Sequence, residues 1–257
     1  MAKRMKIITA GNLRKVVMYT PVMPRDGPVV RAQRSRATTE AQKRMNDKTA
    51  RAKLELTLAA NFTGRDLFCT LTYGDKHLPP TKEAAEGVLR AFVRVLREDR
   101  KRHGQTLKYA YVTENNHGDG RIHHHIVINA TGRDIETIRS LWTHGDHVDI
   151  EPLYRKTWEA HAEYMTKEGG GRPVGKRMWT PSRNLDKPKV THCWVPEGTR
   201  IDVPWYAQDV TWASGGEGAA AWEYVKYTVP QQHENQDGRD RHIEGAELTA
   251  YLARSKL

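Results

Sequence analysis

Residues 121–129 run Arg121-Ile122-His123-His124-His125-Ile126-Val127-Ile128-Asn129. The β-branched Ile126, Val127 and Ile128 favour an extended strand, because branched side chains fit a pleated surface. Successive side chains on a strand point to opposite faces, so His123 and His125 share one face and His124 takes the other. Two imidazoles two residues apart on a rigid strand converge on one point. They can hold a divalent ion from one side and leave its other side open. Three consecutive histidines also fit a merely polar strand, so the neighbours must decide.

Upstream, residues 108–114 read as a second strand, and Asn115–Gly120 supplies turn residues between the two. If the turn pairs Glu114 with Arg121, then Val112 faces His123, and Glu114 lies diagonally from His123 on the face of His123 and His125. A slip of one residue would put the carboxylate on the wrong face. Two imidazoles and one carboxylate suit Mn²⁺ or Mg²⁺, and also Zn²⁺ or Fe²⁺.

Working outward, Leu67–Tyr73 reads as a strand closed by Gly74-Asp75. Thr81 can cap a helix to about His103, with Val88, Leu89, Phe92, Val95 and Leu96 as its apolar stripe. Residues 37–60 lack Gly and Pro and are rich in helix formers. A short helix over 134–142, a strand over 146–150 and a helix over 155–168 complete the series. The order β-α-β-β-α-β-α predicts an α+β fold of ferredoxin-like (RRM-like) type, an antiparallel sheet backed by helices. Residues 1–36 read as a basic, irregular N-terminal arm and 37–171 as the catalytic domain. Residues 172–257 read as a Trp/Pro-rich extension, polar and flexible over 231–242.

The 257 residues carry a formal net charge of +11, with 42 basic against 31 acidic side chains. A basic balance of this size points to a polyanionic partner, nucleic acid above all. Two cysteines, Cys69 and Cys193, cannot build a disulfide framework and fit a reducing compartment. No apolar run is long enough for a membrane span, and the expected location is the cytoplasm of a bacterial host cell.

In the 155–168 helix, Trp158, Ala162 and Met165 form the core stripe, and Tyr164 lies off its centre with Lys167 one turn on. From the helix alone, Tyr164 could equally be a half-buried packing residue beside a surface lysine. Three motifs in order set it apart. Phe68-Cys69-Thr70-Leu71-Thr72-Tyr73, His123-His124-His125 and Tyr164-Met165-Thr166-Lys167 together resemble the HUH endonucleases, the superfamily of relaxases and rolling-circle replication initiators. Ser182-Arg183-Asn184-Leu185 with Lys187-Pro188 resembles the prophage replication proteins of that group. The resemblance spans about residues 37–190, and departs from the family pattern in having histidine between the paired histidines.

The resemblance implies sequence-specific nicking and joining of single-stranded DNA at a replication origin. Glu114, His123 and His125 would hold Mn²⁺ or Mg²⁺, and Tyr164 would be the nucleophile assisted by Lys167. The product would be a 5′-phosphotyrosine and a free 3′-hydroxyl that can prime rolling-circle replication of a phage, plasmid or related element. Thr70, Thr72, Tyr73, Arg121 and Arg183 would contact DNA. Tyr154 is the reserve nucleophile, ahead of Tyr224 and Tyr227. The alternatives are a non-catalytic nucleic-acid-binding regulator on the same fold and another metal-dependent hydrolase. Gly170–Lys176 has the spacing of a phosphate-binding loop, but Arg177 stands where Ser or Thr should bind magnesium. Unwinding and synthesis would therefore fall to a host helicase and polymerase. The arm residues Arg25, Arg31, Arg34 and Arg36 and the tryptophans of the extension are further expected DNA contacts, the indoles alternatively filling a small second core.

Overall fold

The computed structural model describes residues 2–21, 40–115, 120–145, 147–168 and 176–230. Its strands are β1 (Lys3–Ala10), β2 (Leu13–Tyr19), β3 (Leu67–Thr72), β4 (Tyr109–Glu114), β5 (His123–Ile128), β6 (Val148–Pro152), β7 (Thr180–Pro181), β8 (Lys189–Val195), β9 (Gln208–Gly215) and β10 (Trp222–Thr228). Its helices are α1 (Glu40–Asn61), α2 (Lys82–Arg102), α3 (Asp134–Leu141) and α4 (Trp158–Met165). The chain divides into an α+β unit, Ser35–Asp186, and a β unit, Met1–Arg34 with Lys187–Leu257.

The α+β unit is built on an antiparallel sheet of order β6-β3-β5-β4-β7. Its first four strands, with α2 after β3 and α3 after β5, form the ferredoxin-like arrangement. Alternation along each strand sorts side chains between two helical layers. Leu67, Cys69, Leu71, Tyr111, Ile126 and Ile128 pack with Leu89, Phe92 and Leu96 of α2 and Ile138 of α3. Phe68, Ala110, Val112 and Val127 pack on the other face with Leu54 and Leu58 of α1 and Ala162 and Met165 of α4. Truncating a fully buried leucine such as Leu89 to Ala costs about 2–5 kcal/mol, so both layers hold the sheet firmly. The cap expected at Thr81 is present, its hydroxyl accepting from Ala84 N at 3.1 Å. Thr157 caps α4 in the same way, accepting from Ala160 N at 3.2 Å.

Two boundaries differ from the sequence reading. Trp179 donates its indole N–H to Ala50 O of α1 at 3.0 Å, and Thr180 pairs with Tyr111 of β4. The segment through Asp186 thus belongs to the α+β unit, not to an extension. The start of the chain is not an irregular arm: β1 and β2 form a hairpin whose turn is Gly11-Asn12, with Gly11 at φ 52°. Alternation of Met5 and Ile7 with Lys6, and of Val16 and Met18 with Lys15, builds a strand despite the many cations. The β unit is a second five-stranded antiparallel sheet, order β8-β1-β2-β10-β9. Arg25, Arg31, Arg34, Arg36, Gly169–Gly171, the remainder of the phosphate-loop-like stretch through Gly175, and residues 231–242 lie outside the described residues. No helix among the described residues is long and apolar enough to cross a membrane.

Candidate metal centre and nucleophile

β5 hydrogen-bonds to both β3 and β4 and sits mid-sheet, so its side chains have fixed directions. The register of the β4–β5 hairpin pairs Glu114 with His123 and Val112 with His125. This is two residues from the expected pairing of Glu114 with Arg121. A slip of two preserves the face, so Glu114 still joins His123 and His125, now directly opposite His123 rather than diagonal to it.

The three side chains converge. Glu114 Oε2 lies 3.5 Å from His123 Nε2 and 3.4 Å from His125 Nε2, and the two Nε2 atoms are 3.2 Å apart. Ligands at roughly 2.0–2.2 Å from one ion are separated from each other by roughly 3.0–3.5 Å, so these spacings match one ion shared by all three. The outer nitrogens are already engaged. His123 Nδ1 sits 3.0 Å from Arg121 O, which can only accept, so Nδ1 carries the proton and Nε2 presents its lone pair to the centre. His125 Nδ1 is 3.2 Å from Thr70 Oγ1, which orients that ring likewise. Glu114 is fully buried, and neither carboxylate oxygen has a hydrogen-bond partner among the described residues. A buried carboxylate with bare oxygens, aimed at two free imidazole lone pairs, fits a divalent cation.

The electrostatics agree. Burial alone would push the Glu114 carboxyl up, but the imidazoles of His123 and His125 and the Lys167 ammonium outweigh it and hold it at about 2. The Glu114 carboxylate raises the pKa of His123 against the opposing effect of burial. In His125 burial prevails and lowers it.

His124 faces the α2–α3 layer. Its Nε2 lies 2.7 Å from Tyr73 Oη and its Nδ1 2.9 Å from Thr113 Oγ1, and burial pushes its pKa down to about 3. It is a neutral, fully hydrogen-bonded core residue. Tyr73 shares that buried layer, with only 3% of its surface exposed and its ring packed against Trp142. The Tyr73 side chain is therefore not placed to contact DNA as expected: strand alternation sends it to the face opposite the histidine pair. Thr72 donates its hydroxyl to His147 O at 2.7 Å, and Thr70 is turned toward His125. Arg121, beside the histidine strand, donates to Tyr73 O at 2.8 Å and ion-pairs with Asp75. Arg183 is exposed.

Tyr164 lies at the rim of the centre, 39% exposed. Its ring centroid is 4.8 Å from that of His125, and Phe68 meets it edge-on at 5.8 Å. Helix α4 is held in place from α1, where Arg51 donates to Thr166 Oγ1 at 3.1 Å and pairs with Glu163 at 3.3 Å. Lys167 is not beside the tyrosine alone. Its ammonium lies 4.3 Å from the Tyr164 ring centroid and 3.2 Å from Glu114 Oε2, bridging the two. Tyr154 is 71% exposed on the short 3₁₀ turn Leu153–Arg155, and Tyr224 and Tyr227 belong to the β unit.

Two features escaped the sequence. Lys156 places its ammonium 5.0 Å from the Tyr164 ring centroid, tethered to Glu151 at 3.2 Å. Reading Thr157 as the helix cap would have put Lys156 just outside α4, where it can fold back along the ring. His161 is buried and hydrogen-bonds to Leu153 O at 2.9 Å, so it supports the α4 layer that carries Tyr164.

Residues 66–169 match the family of replication-associated proteins of the ORF2 type. This stretch contains Glu114, His123, His125, Tyr164 and Lys167 and nearly the whole ferredoxin-like core. No curated protein and no solved structure matches the chain. The similarity ties the α+β unit to DNA replication, in keeping with a replication initiator.

Proposed function

We propose that this protein nicks and rejoins single-stranded DNA at a replication origin, as an HUH-type initiator of rolling-circle replication of a phage, plasmid or related element. The observation that carries the reading is the placement of Tyr164 against His125, at the rim of a buried Glu114–His123–His125 cluster that Lys167 links to it. The family match to replication-associated proteins supports it.

Glu114, His123 and His125 would hold the divalent ion, Mn²⁺ or Mg²⁺, whose contribution is to polarise the scissile phosphate and neutralise its charge. Tyr164 supplies the nucleophilic oxygen. Its phenol loses a proton and its oxygen bonds to phosphorus as the bond to the 3′ oxygen breaks. The 3′ oxygen takes up a proton, leaving a 5′-phosphotyrosine and a 3′-hydroxyl. One phosphodiester replaces another, so attack by a 3′-hydroxyl restores the strand. Lys167 and Lys156, both cationic against the tyrosine ring, favour the phenolate and the charge that builds on the phosphoryl oxygens. Thr70 keeps His125 in the orienting tautomer. Arg121, Arg183 and the Thr72 segment are the proposed strand contacts. A host helicase and polymerase are the proposed partners for unwinding and extension.

The test is incubation with a pool of single-stranded oligonucleotides and Mn²⁺, followed by isolation of denaturant-resistant protein–DNA adducts and peptide mapping. The expected result is nucleotide on Tyr164, and no adduct from Tyr164→Phe despite unchanged folding. Nucleotide on Tyr154, Tyr224 or Tyr227 would overturn the nucleophile. Product release without any adduct would favour a metal-dependent hydrolase instead.

A further inference from the structure

The β unit has one packed face and one of different character. Met5, Val16, Met18, Val195, Val225 and Tyr227 form the packed face. The other face follows from the strand register, since directly paired residues share a face. One row runs across all five strands: Trp194 of β8 pairs with Arg4, Arg4 with Tyr19, Tyr19 with Trp222, and Trp222 with Gly215. The adjacent row on that face is His192, Lys6, Val17, Tyr224 and Ala213. The ten positions hold aromatic, cationic and small or apolar residues and no carboxylate. Glu223 alternates to the packed face, where it pairs with Lys3 at 3.8 Å.

The side chains of the first row are set for stacking. The Arg4 guanidinium lies over the Trp194 indole, 6.0 Å from its centroid. Trp222 lies flat on the sheet: a Cβ added at Gly215 would meet its ring atoms at 2.9–3.1 Å. One face of that indole is therefore spent on the backbone of β9 and the other is turned away from the sheet. Trp194 is 58% and Trp222 40% exposed. Neither belongs to the packed core, so the tryptophans do not serve as filling for it. Trp212 pairs with Val225 and lies on the opposite face, outside the row. Neighbouring strands are roughly 4.8 Å apart, so the three steps from Trp194 to Trp222 span about 14 Å.

We propose that this face is a platform for single-stranded DNA, with Trp194, Tyr19 and Trp222 stacking on unpaired bases and Arg4 and Lys6 contacting phosphates. A flat aromatic row flanked by cations and free of acids complements a strand with exposed bases and a charged backbone. Duplex DNA, whose bases are already stacked, offers the indoles nothing. The inference rests on the single-stranded DNA reading of the α+β unit but involves none of its residues.

The experiment titrates the full-length protein, in EDTA to prevent cleavage, against fluorescein-labelled dT₂₀ and a 20-bp duplex, read by anisotropy. Trp194→Ala sits on the edge strand β8 and is the decisive variant; Trp222→Ala accompanies it, with thermal melting to check that β9 stays in place. Each substitution should weaken dT₂₀ binding roughly tenfold, with little effect on the duplex and no change in salt slope. Trp194→Phe should restore part of the loss. Lys6→Ala should reduce the salt slope for dT₂₀ by roughly 0.7, the value for one phosphate contact on a single strand. Wild-type dT₂₀ affinity in a well-folded Trp194→Ala protein would overturn the platform. Tyr164→Phe supplies the separate arm. If the wild type forms no tyrosine adduct yet Trp194→Ala still weakens dT₂₀ binding, the nickase reading falls and the platform stands. If the adduct forms but Trp194→Ala binds normally, the reverse holds.

Discussion

Replacing Glu114 with glutamine tests whether the buried carboxylate is held as an anion by its neighbours. The substitution keeps shape and removes charge. In the absence of metal, the carboxyl is depressed from an ordinary 4.5 to about 2, the imidazoles and Lys167 more than offsetting burial. A pKa unit corresponds to about 1.4 kcal/mol, so ionised Glu114 stabilises the folded state by about 3 kcal/mol relative to its protonated form. A carboxyl whose folded pKa lies below its unfolded one contributes fully above the unfolded value. That contribution fades as pH falls from 4.5 toward 2. Glutamine mimics the protonated form. Urea melts in EDTA should therefore show the Glu114→Gln variant less stable by about 3 kcal/mol at pH 7, with the gap closing to about half at pH 3. A variant as stable as the wild type at pH 7 would refute the reasoning, because desolvation of the buried charge would then outweigh its partners. Metal gives the second readout. Mn²⁺ at a hundred times its dissociation constant adds about 2.7 kcal/mol. At about 2–4 °C per kcal/mol this raises the melting temperature by about 5–10 °C. The wild type should show that shift and Glu114→Gln should lose most of it.

Two further substitutions separate roles that lie close together. Lys167→Ala should tighten Mn²⁺ binding several-fold in calorimetric titration, because its ammonium pairs with Glu114 Oε2 at 3.2 Å and repels a second cation, while slowing adduct formation by roughly ten- to a hundredfold. Weaker Mn²⁺ binding would show that Lys167 organises the site rather than competing within it. His124→Leu should cost about 1–3 kcal/mol of stability by leaving the Tyr73 and Thr113 hydroxyls unpaired in the core, with the Mn²⁺-induced shift in melting temperature retained. Loss of that shift would place His124 in the metal centre after all.

The site is legible in the sequence because its information is local. Period-two alternation alone separates His123 and His125 from His124, and it does so whatever the turn conformation. The hairpin register differs by two residues from the sequence reading, yet the face assignment survives because side-chain direction depends only on the parity of the slip. The same parity rule corrects Tyr73. Five residues after Phe68 along the same extended segment, it must face the α2–α3 layer, as does His124. Lys156 needs the start of α4 placed to within one residue, where capping geometry decides rather than periodicity.

The second sheet is illegible for a different reason. Its central hairpin, β1–β2, lies at one end of the sequence, and its partners β8, β9 and β10 follow the α+β unit. No local pattern announces that Lys3–Ala10 will pair with Lys189–Val195, more than 170 residues away. Read alone, the first segment is short, basic and followed by prolines, which resembles an arm. The tryptophans, read without strands to hold them, can be sorted only by composition. Pairing is what divides them: Trp179 packs in the α+β unit, Trp212 follows the packed face of the β unit, and Trp194 and Trp222 share a row with Arg4. Composition therefore offers two alternatives for the tryptophans as a set, stacking or core. The register resolves them one residue at a time, and the substitution that discriminates is at Trp194 rather than a truncation, because cutting after residue 190 would remove β9, β10 and most of β8 and strip the β1–β2 hairpin of both neighbours.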